Sequence, residues 1–263
     1  MRVPPAPVCF DVADERAVAH FVSAGWVLLR TFEGDALDQL RRWVDEVAAW
    51  PDDAGPWLHY RELTDEGPKL CRTENFVPFH DGLRSLLCDG GLVRAASALL
   101  GQPAVLYKEK INYKLAGGAG FAPHQDAPAY RFVETHVSCM VAVDDATLDN
   151  GCLEVVSGRH HELLATDDVG CVRAGVAAEL TWDPVEVRAG QTLWFHSRTP
   201  HRSGPNRSTT PRRALYPTYN AAAEGDLRAD YYRQKQVELS AAGDGGRGVA
   251  VSLIGDFQGR AVT

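Results

Sequence analysis

Apolar positions change their spacing near residue 104, and that change organises the chain. Before it, the period is helical. Ala17, Phe21 and Val22 have helical spacing, and Gly25 is placed to end that segment. Residues 26–29 form a short apolar run that predicts a strand. Leu37, Leu40, Trp43, Val44 and Val47 predict an amphipathic helix, with Asp35 as its N-cap and Pro51 as its stop. Residues 52–68 are rich in Asp, Gly and Pro and predict a loop. Residues 83–100 predict two short helices, split by Gly90 and Gly91 and ended by Gly101.

From residue 104 the period is two. Residues 104–115, 136–143, 153–156, 185–187, 193–195 and 214–219 are short β-branched or aromatic runs. Gly, Pro, Asp and Asn bound them, which is the pattern of an all-β sandwich or barrel. Asn150-Gly151 is a hairpin signal, and Asp144 and Asp145 fit its caps better than a second metal site. One more helix is predicted over about residues 227–239. The Gly-rich residues 241–249 after it are expected to be mobile. No repeat or domain linker is visible. The expectation is a single domain spanning residues 1–263, with helices over residues 1–103, a β core over residues 104–220 and a tail over residues 221–263.

Composition narrows the partners. A net charge of −8 argues against a general nucleic-acid binder, yet leaves room for a local basic pocket. Cys9, Cys71, Cys88, Cys139, Cys152 and Cys171 form no CxxC pair and suit reduced thiols in a cytoplasmic protein. The N-terminus has no apolar core of a signal peptide, and no run is long enough for a membrane helix. A small-molecule substrate is expected, without nucleic acid or membrane, for a monomer or homodimer.

The chemistry concentrates in two places. His124-Gln125-Asp126 sets an imidazole and a carboxylate two residues apart, on one side of extended backbone. His201, after the apolar run 193–195, is the best third ligand, although His136, His160, His161 and His196 are also available. Two histidines and a carboxylate bind one face of Fe(II) and leave positions for a bidentate 2-oxo acid and O2. Such an acid needs a cation for its distal carboxylate, and arginine matches it best. A pair of arginines follows in PRRAL.

The segments APHQDAPAY, VAVDDATLDNGCLEVVSGRHH and TPHRSGPNRSTTPRRAL resemble the phytanoyl-CoA dioxygenase family of Fe(II)/2-oxoglutarate oxygenases, over roughly residues 70–220. The resemblance implies a mainly β fold with flanking helices, a double-stranded β-helix or cupin-like jelly roll. It implies Fe(II), 2-oxoglutarate and O2, with His124, Asp126 and His201 as iron ligands. Arg212 would pair with the distal carboxylate of 2-oxoglutarate, assisted by Ser203, while alternation points Arg213 the other way. Asn112 would be a polar 2-oxoglutarate contact, and Met140 would line that pocket. The presence of Asp126 favours hydroxylation of an aliphatic carbon, with release of succinate and CO2, over halogenation. KEKINYKLAGGAGFAPHQDAPAY is further similar to members that hydroxylate small aminophosphonates such as 2-aminoethylphosphonate. A tailoring hydroxylase of natural products, a non-enzymatic cupin-like metal binder and a zinc hydrolase are the competing readings.

For the substrate, the strand 108–114 matters most. Lys108, Lys110, Asn112 and Lys114 share one face, and buried ammonium groups call for an anionic partner. The alternative is that these lysines reach solvent at the strand ends. Tyr130, six residues after His124, and Arg72 complete the candidate substrate contacts.

Overall fold

A computed structural model describes residues 7–52, 56–130, 133–134, 136–242 and 254–262. In chain order the strands are β1 (Cys9–Phe10), β2 (Trp26–Arg30), β3 (Leu58–Thr64), β4 (Gly67–Glu74), β5 (Ala104–Lys108), β6 (Lys110–Lys114), β7 (Phe121–His124), β8 (His136–Ala142), β9 (Leu153–Val155), β10 (Asp183–Val185), β11 (Gln191–His196), β12 (His201–Ser203), β13 (Arg212–Leu215), β14 (Thr218–Ala221) and β15 (Ala261–Val262). The helices are α1 (Glu15–Ala24), α2 (Gly34–Ala48), α3 (Asp81–Cys88), α4 (Gly91–Leu100), α5 (Ala174–Ala178) and α6 (Arg228–Ala242).

Strands β2, β8 and β11 are buried on both faces, which is why they look continuously apolar. Val27, Leu29, Val137, Cys139, Val141 and Trp194 pack with Ala17, Phe21, Leu40, Val44, Leu83 and Leu92 of the helices. Leu28, Met140, Ala142, Leu193 and Phe195 instead join Leu153, Val155 and Val185 of a second sheet. The large sheet runs β1-β2-β11-β8-β13-β6-β4-β3-β15, with β14 joining β8 and β5, and the small one runs β10-β9-β12-β7. Two facing sheets with helices outside one of them form the expected jelly roll. No described helix is long and apolar enough to cross a membrane.

Local signals explain the helix ends. The Asp14 carboxylate accepts from the N–H groups of Arg16 and Ala17 at the start of α1, and Gly25 closes it with φ 82°. Val22 lies on the exposed side of that helix. In α2 the N-cap position is held by Glu33, so Asp35 falls in the first turn, where its charge still favours the helix N-terminus. The helix ends at Ala48, before Pro51 is reached.

Several expectations need correction. Apart from residues 53–55, which lie outside the described ones, much of 52–68 is a hairpin rather than a loop: β3 pairs β4 across Asp65 and Glu66. Its interior positions include Glu62, Arg72, Thr73 and Glu74, all buried. Polar residues facing inward hide the usual alternation. The run 104–115 breaks at Glu109, and 214–219 breaks at Tyr216-Pro217, where proline offers no N–H. Asn150 and Gly151 lie in a longer turn that carries the chain from β8 to β9 in the other sheet. There Asp145 accepts from the Ala189 N–H, and Asp144 pairs with Arg213. Of the Gly-rich stretch, residues 243–249 lie outside the described residues.

The chain returns at Ile254 and threads along the site. The Ala122 N–H donates to the Asp256 carbonyl at 2.7 Å, and the Gln258 N–H to the Gly120 carbonyl at 3.0 Å. Phe257 packs on Phe121, and β15 adds to the edge of β3.

Candidate metal centre and its cavities

Antiparallel pairing of β7 and β12 sets His124 directly opposite His201, with ring centroids 4.1 Å apart. Each ring donates its Nδ1–H to a carbonyl two residues earlier, Ala122 at 2.7 Å and Thr199 at 3.0 Å. These bonds fix the tautomer and leave the Nε2 lone pairs facing one another across a gap. Asp126 Oδ1 lies 3.9 Å from both Nε2 atoms, and Asp126 Oδ2 accepts from Ser138 Oγ at 2.8 Å. One donor atom from each of the three residues lies within 4.8 Å of the others.

Asp126 reaches this place by a turn, not by strand alternation. The strand stops at His124, and Asp126 has φ −70° and ψ −31°. Gln125 holds the turn. Its amide donates to the carbonyls of Glu162 and Arg198, and its oxygen accepts from the Leu164 N–H.

Electrostatics prepare the three groups for a cation. Burial, reinforced by the neighbouring His124, pulls His201 down to about 4, so its ring is neutral near pH 7. Burial raises Asp126, but in the acid range where it titrates the protonated His201 ring, with Lys108 and Lys110, outweighs that and holds the carboxyl well below its usual range. Two imidazoles whose Nδ1–H groups are already used and one carboxylate held by Ser138 fit a facially bound Fe(II).

The triad opens on a cavity of about 540 Å³, counting its mouth. At one end stand Asn112, Lys114, Ser203 and Arg212. Arg212 is 3% exposed; one of its terminal nitrogens donates to the Gly151 carbonyl at 2.8 Å, and its Nε has no partner among the described residues. Arg213 points outward and is bound to Asp144 and Asp45. Lys114 does not reach solvent. Its Nζ donates to Ser203 Oγ at 3.1 Å and to the carbonyls of Gly151 and Gly204. Burial and then the Arg212 guanidinium pull it down to about 7. The Asn112 oxygen accepts from Arg72 Nε at 2.9 Å, which turns the amide nitrogen of Asn112 elsewhere. A side chain at Gly151 would press on the Gly204 carbonyl and Lys114 Nζ, so glycine is required there. Met140 is a correction: it is fully buried in the apolar layer between the sheets and does not line the cavity.

On the other side of Asp126 a smaller, polar cavity is lined by Arg72, Glu74, Lys108, Lys110, Tyr130, Tyr231, Lys235 and Asp256. Lys110, Asp126, Tyr130 and Asp256 border both spaces. Glu74 lies between Lys235 and Arg72. Lys108 Nζ sits 4.2 Å above the Tyr130 ring, and burial pushes it well below the usual lysine range. Burial, helped by Arg72, lowers Lys110 to about 8. Among the described residues neither lysine has a carboxylate within ion-pair distance. Sequence reasoning missed Asp256, Tyr231 and Lys235. They lie far beyond the motif-bearing segments, and only the fold brings α6 and the tail back to the metal.

Comparison with known proteins agrees with this geometry. The sequence profile of the phytanoyl-CoA dioxygenase family, PhyH, matches residues 21–214. A methylphosphonate hydroxylase of Gimesia maris is 47% identical over 239 residues, covering 90% of this chain and 92% of that protein. A 2-aminoethylphosphonate dioxygenase of an uncultured bacterium is 41% identical over 218 residues, covering 81% and 83%. Among solved structures, AviO1 from Streptomyces viridochromogenes superposes with a TM-score of 0.65 at 26% identity, covering 79% of this chain and 95% of that one. EctD from S. alaskensis gives a TM-score of 0.70 at 22% identity, covering 85% and 80%, a likeness of fold.

Proposed function

Because the chain belongs to the phytanoyl-CoA dioxygenase family and is an Fe(II)/2-oxoglutarate-dependent dioxygenase, we propose that it hydroxylates a carbon of a small phosphonate. The observation that carries this reading is the polar cavity beside Asp126, where Lys108 and Lys110 lack a carboxylate partner among the described residues. An otherwise acidic protein, with net charge −8, keeps two lysines buried there, where protonation costs desolvation. A phosphonate would offset that cost through charge-assisted hydrogen bonds. Two relatives named for phosphonate oxidation support the same substrate class. In methylphosphonate the only carbon is bonded to phosphorus, so a shared register would present that carbon to the metal.

His124, Asp126 and His201 would hold the Fe(II), which when bound supplies the O2 chemistry coupling decarboxylation of 2-oxoglutarate to oxidation of a C–H bond. Arg212 and Ser203 would take the distal carboxylate of 2-oxoglutarate, with Asn112 as a further donor. Lys114 orients the Ser203 hydroxyl by donating to its oxygen, which leaves the hydroxyl hydrogen for that carboxylate. Tyr130 stays a neutral phenol, since burial raises it far above its usual range, and its ring supports Lys108. Phe121, Leu153 and Phe195 line the cavity and keep water from the reacting centre. On this reading the enzyme is a single domain that works in the cytoplasm on a diffusible substrate, as a monomer or homodimer without nucleic acid or membrane.

A succinate-release assay with Fe(II) and ascorbate tests the proposal. Methylphosphonate or 2-aminoethylphosphonate should stimulate succinate formation, while carboxylates and amines of equal size should not. Stimulation by the carboxylates or amines and by no phosphonate would overturn it.

A further inference from the structure

The tail places a carboxylate where a bare phosphonate has no use for one. Asp256 is 3% exposed and borders both cavities. Its backbone is fixed by the Ala122 N–H, and its neighbour Phe257 is pinned against Phe121. Oδ1 has no hydrogen-bond partner among the described residues. Oδ2 faces His124 Nε2 at 3.3 Å. That nitrogen is a poor partner in the metal-ready tautomer, in which His124 donates its Nδ1–H to Ala122 and keeps a lone pair at Nε2. A bound metal would claim the same lone pair. Among the described residues the Asp256 carboxylate therefore has no donor inside a buried cavity, a costly arrangement unless a ligand brings one.

The other carboxylates there are accounted for. Glu74 is held by Lys235 and Arg72, and Asp126 belongs to the metal triad and accepts from Ser138. Asp256 itself falls outside the set of donor atoms that lie within 4.8 Å of one another. Among the described residues that leaves one carboxylate, Asp256, bordering a space that Lys108 and Lys110 also line. That array complements a zwitterion whose anionic end meets two cations and whose cationic end meets one anion. Methylphosphonate would satisfy the lysines and leave Asp256 unpaired.

We infer that Asp256 binds the ammonium group of the substrate and selects an aminoalkylphosphonate over an alkylphosphonate. This rests on the cavity being a phosphonate site. It makes the C-terminal segment a specificity element, since the residue comes from a stretch of the chain that supplies no metal ligand.

Anaerobic binding to enzyme loaded with Fe(II) and 2-oxoglutarate tests it, using methylphosphonate, ethylphosphonate and 2-aminoethylphosphonate. The last two differ by the amine alone. A charge-assisted contact predicts that 2-aminoethylphosphonate binds at least about tenfold tighter than ethylphosphonate. In Asp256→Asn that ratio should collapse towards one, and Asp256→Glu, which keeps the charge, should restore some of it. A wild-type ratio near one overturns the inference, as does Asp256→Asn weakening both ligands equally. Loss of iron from Asp256→Asn, read by metal analysis, also overturns it and assigns Asp256 to the metal instead. If none of the three phosphonates binds, the phosphonate reading itself fails, and this inference fails with it. If they bind without preference for the amine, only the role of Asp256 fails.

Discussion

The two ends of the active site are built differently. The end assigned to 2-oxoglutarate comes from β6, β12 and β13, strands whose backbones are locked in sheets. Its side chains are mostly satisfied: Lys114 by three oxygens, Asn112 by Arg72, Arg212 in part by Gly151. The substrate end draws on the β5–β6 break, the turn after β7, α6 and the returning tail. Among the described residues its Lys108, Lys110 and Asp256 have little internal pairing. A ligand shared by every turnover suits a rigid, pre-organised end. On the proposed reading, the less paired groups at the other end await a particular substrate, and that end would set specificity.

The largest expected effect removes what both ends share. His124→Ala, Asp126→Ala or His201→Ala should abolish turnover while circular dichroism still reports a folded protein. A variant with near wild-type activity would remove that residue from the metal. Next, Arg212→Ala should break the cosubstrate end alone. Removing one partner of a buried charge pair costs about 3–5 kcal/mol, which means a Michaelis constant for 2-oxoglutarate more than a hundredfold higher. Arg213→Ala removes an outward ion pair and should change that constant little; the reverse ranking would exchange their roles.

Lys110→Met should break the substrate end alone. Losing one charge-assisted hydrogen bond weakens phosphonate affinity by about ten- to a hundredfold, with the 2-oxoglutarate constant nearly unchanged. The same residue predicts a pH dependence. Lys110 sits at about 8, lowered by burial and Arg72, and the anion binds its protonated form. Above that pH a proton must be taken up on binding, so affinity falls as pH rises. In Lys110→Arg, which stays charged, the fall should be absent, and an identical fall in both proteins would place the titration elsewhere.

The smallest effect concerns the apo-protein. Burial chiefly lowers His136 to about 3, and His196 and His201 to about 4. Below the ordinary histidine value of about 6.5 the unfolded chain binds protons that the folded one refuses. Their contribution to stability is complete above that value and is lost as pH falls towards 4. Melting temperatures of metal-free protein should drop by several degrees between pH 7 and pH 5; a flat profile would contradict these environments.

The residues proposed for the cosubstrate end were easier to read from the sequence than those proposed for the substrate end, for a physical reason. His124 and His201 sit in short segments that strand pairing sets opposite one another, with Asp126 in the turn just after, and the resemblance those segments carry pointed to Ser203 and Arg212. Even so, strand alternation wrongly explained Asp126, which sits on a turn. The same alternation correctly put Asn112 and Lys114 on one cavity face; Met140, expected to line the pocket, instead packs in the apolar layer, while Ser138 on the same strand reaches the cavity. The hairpin of β3 and β4 was hidden because Arg72, Thr73 and Glu74 turn polar side chains inward. Asp256 carried no local mark at all. Its place depends on a tail that crosses the sheet edge and on contacts with Gly120 and Ala122, more than a hundred residues earlier.

The central claim is that one cavity couples 2-oxoglutarate to a phosphonate. Following 31P resonance and succinate together, in enzyme supplied with Fe(II), 2-oxoglutarate, O2 and 2-aminoethylphosphonate, tests it most directly. A new phosphonate resonance should grow in step with succinate, one for one, with no growth in Asp126→Ala. Succinate produced at the same rate with and without the phosphonate, and no new phosphorus signal, would contradict it.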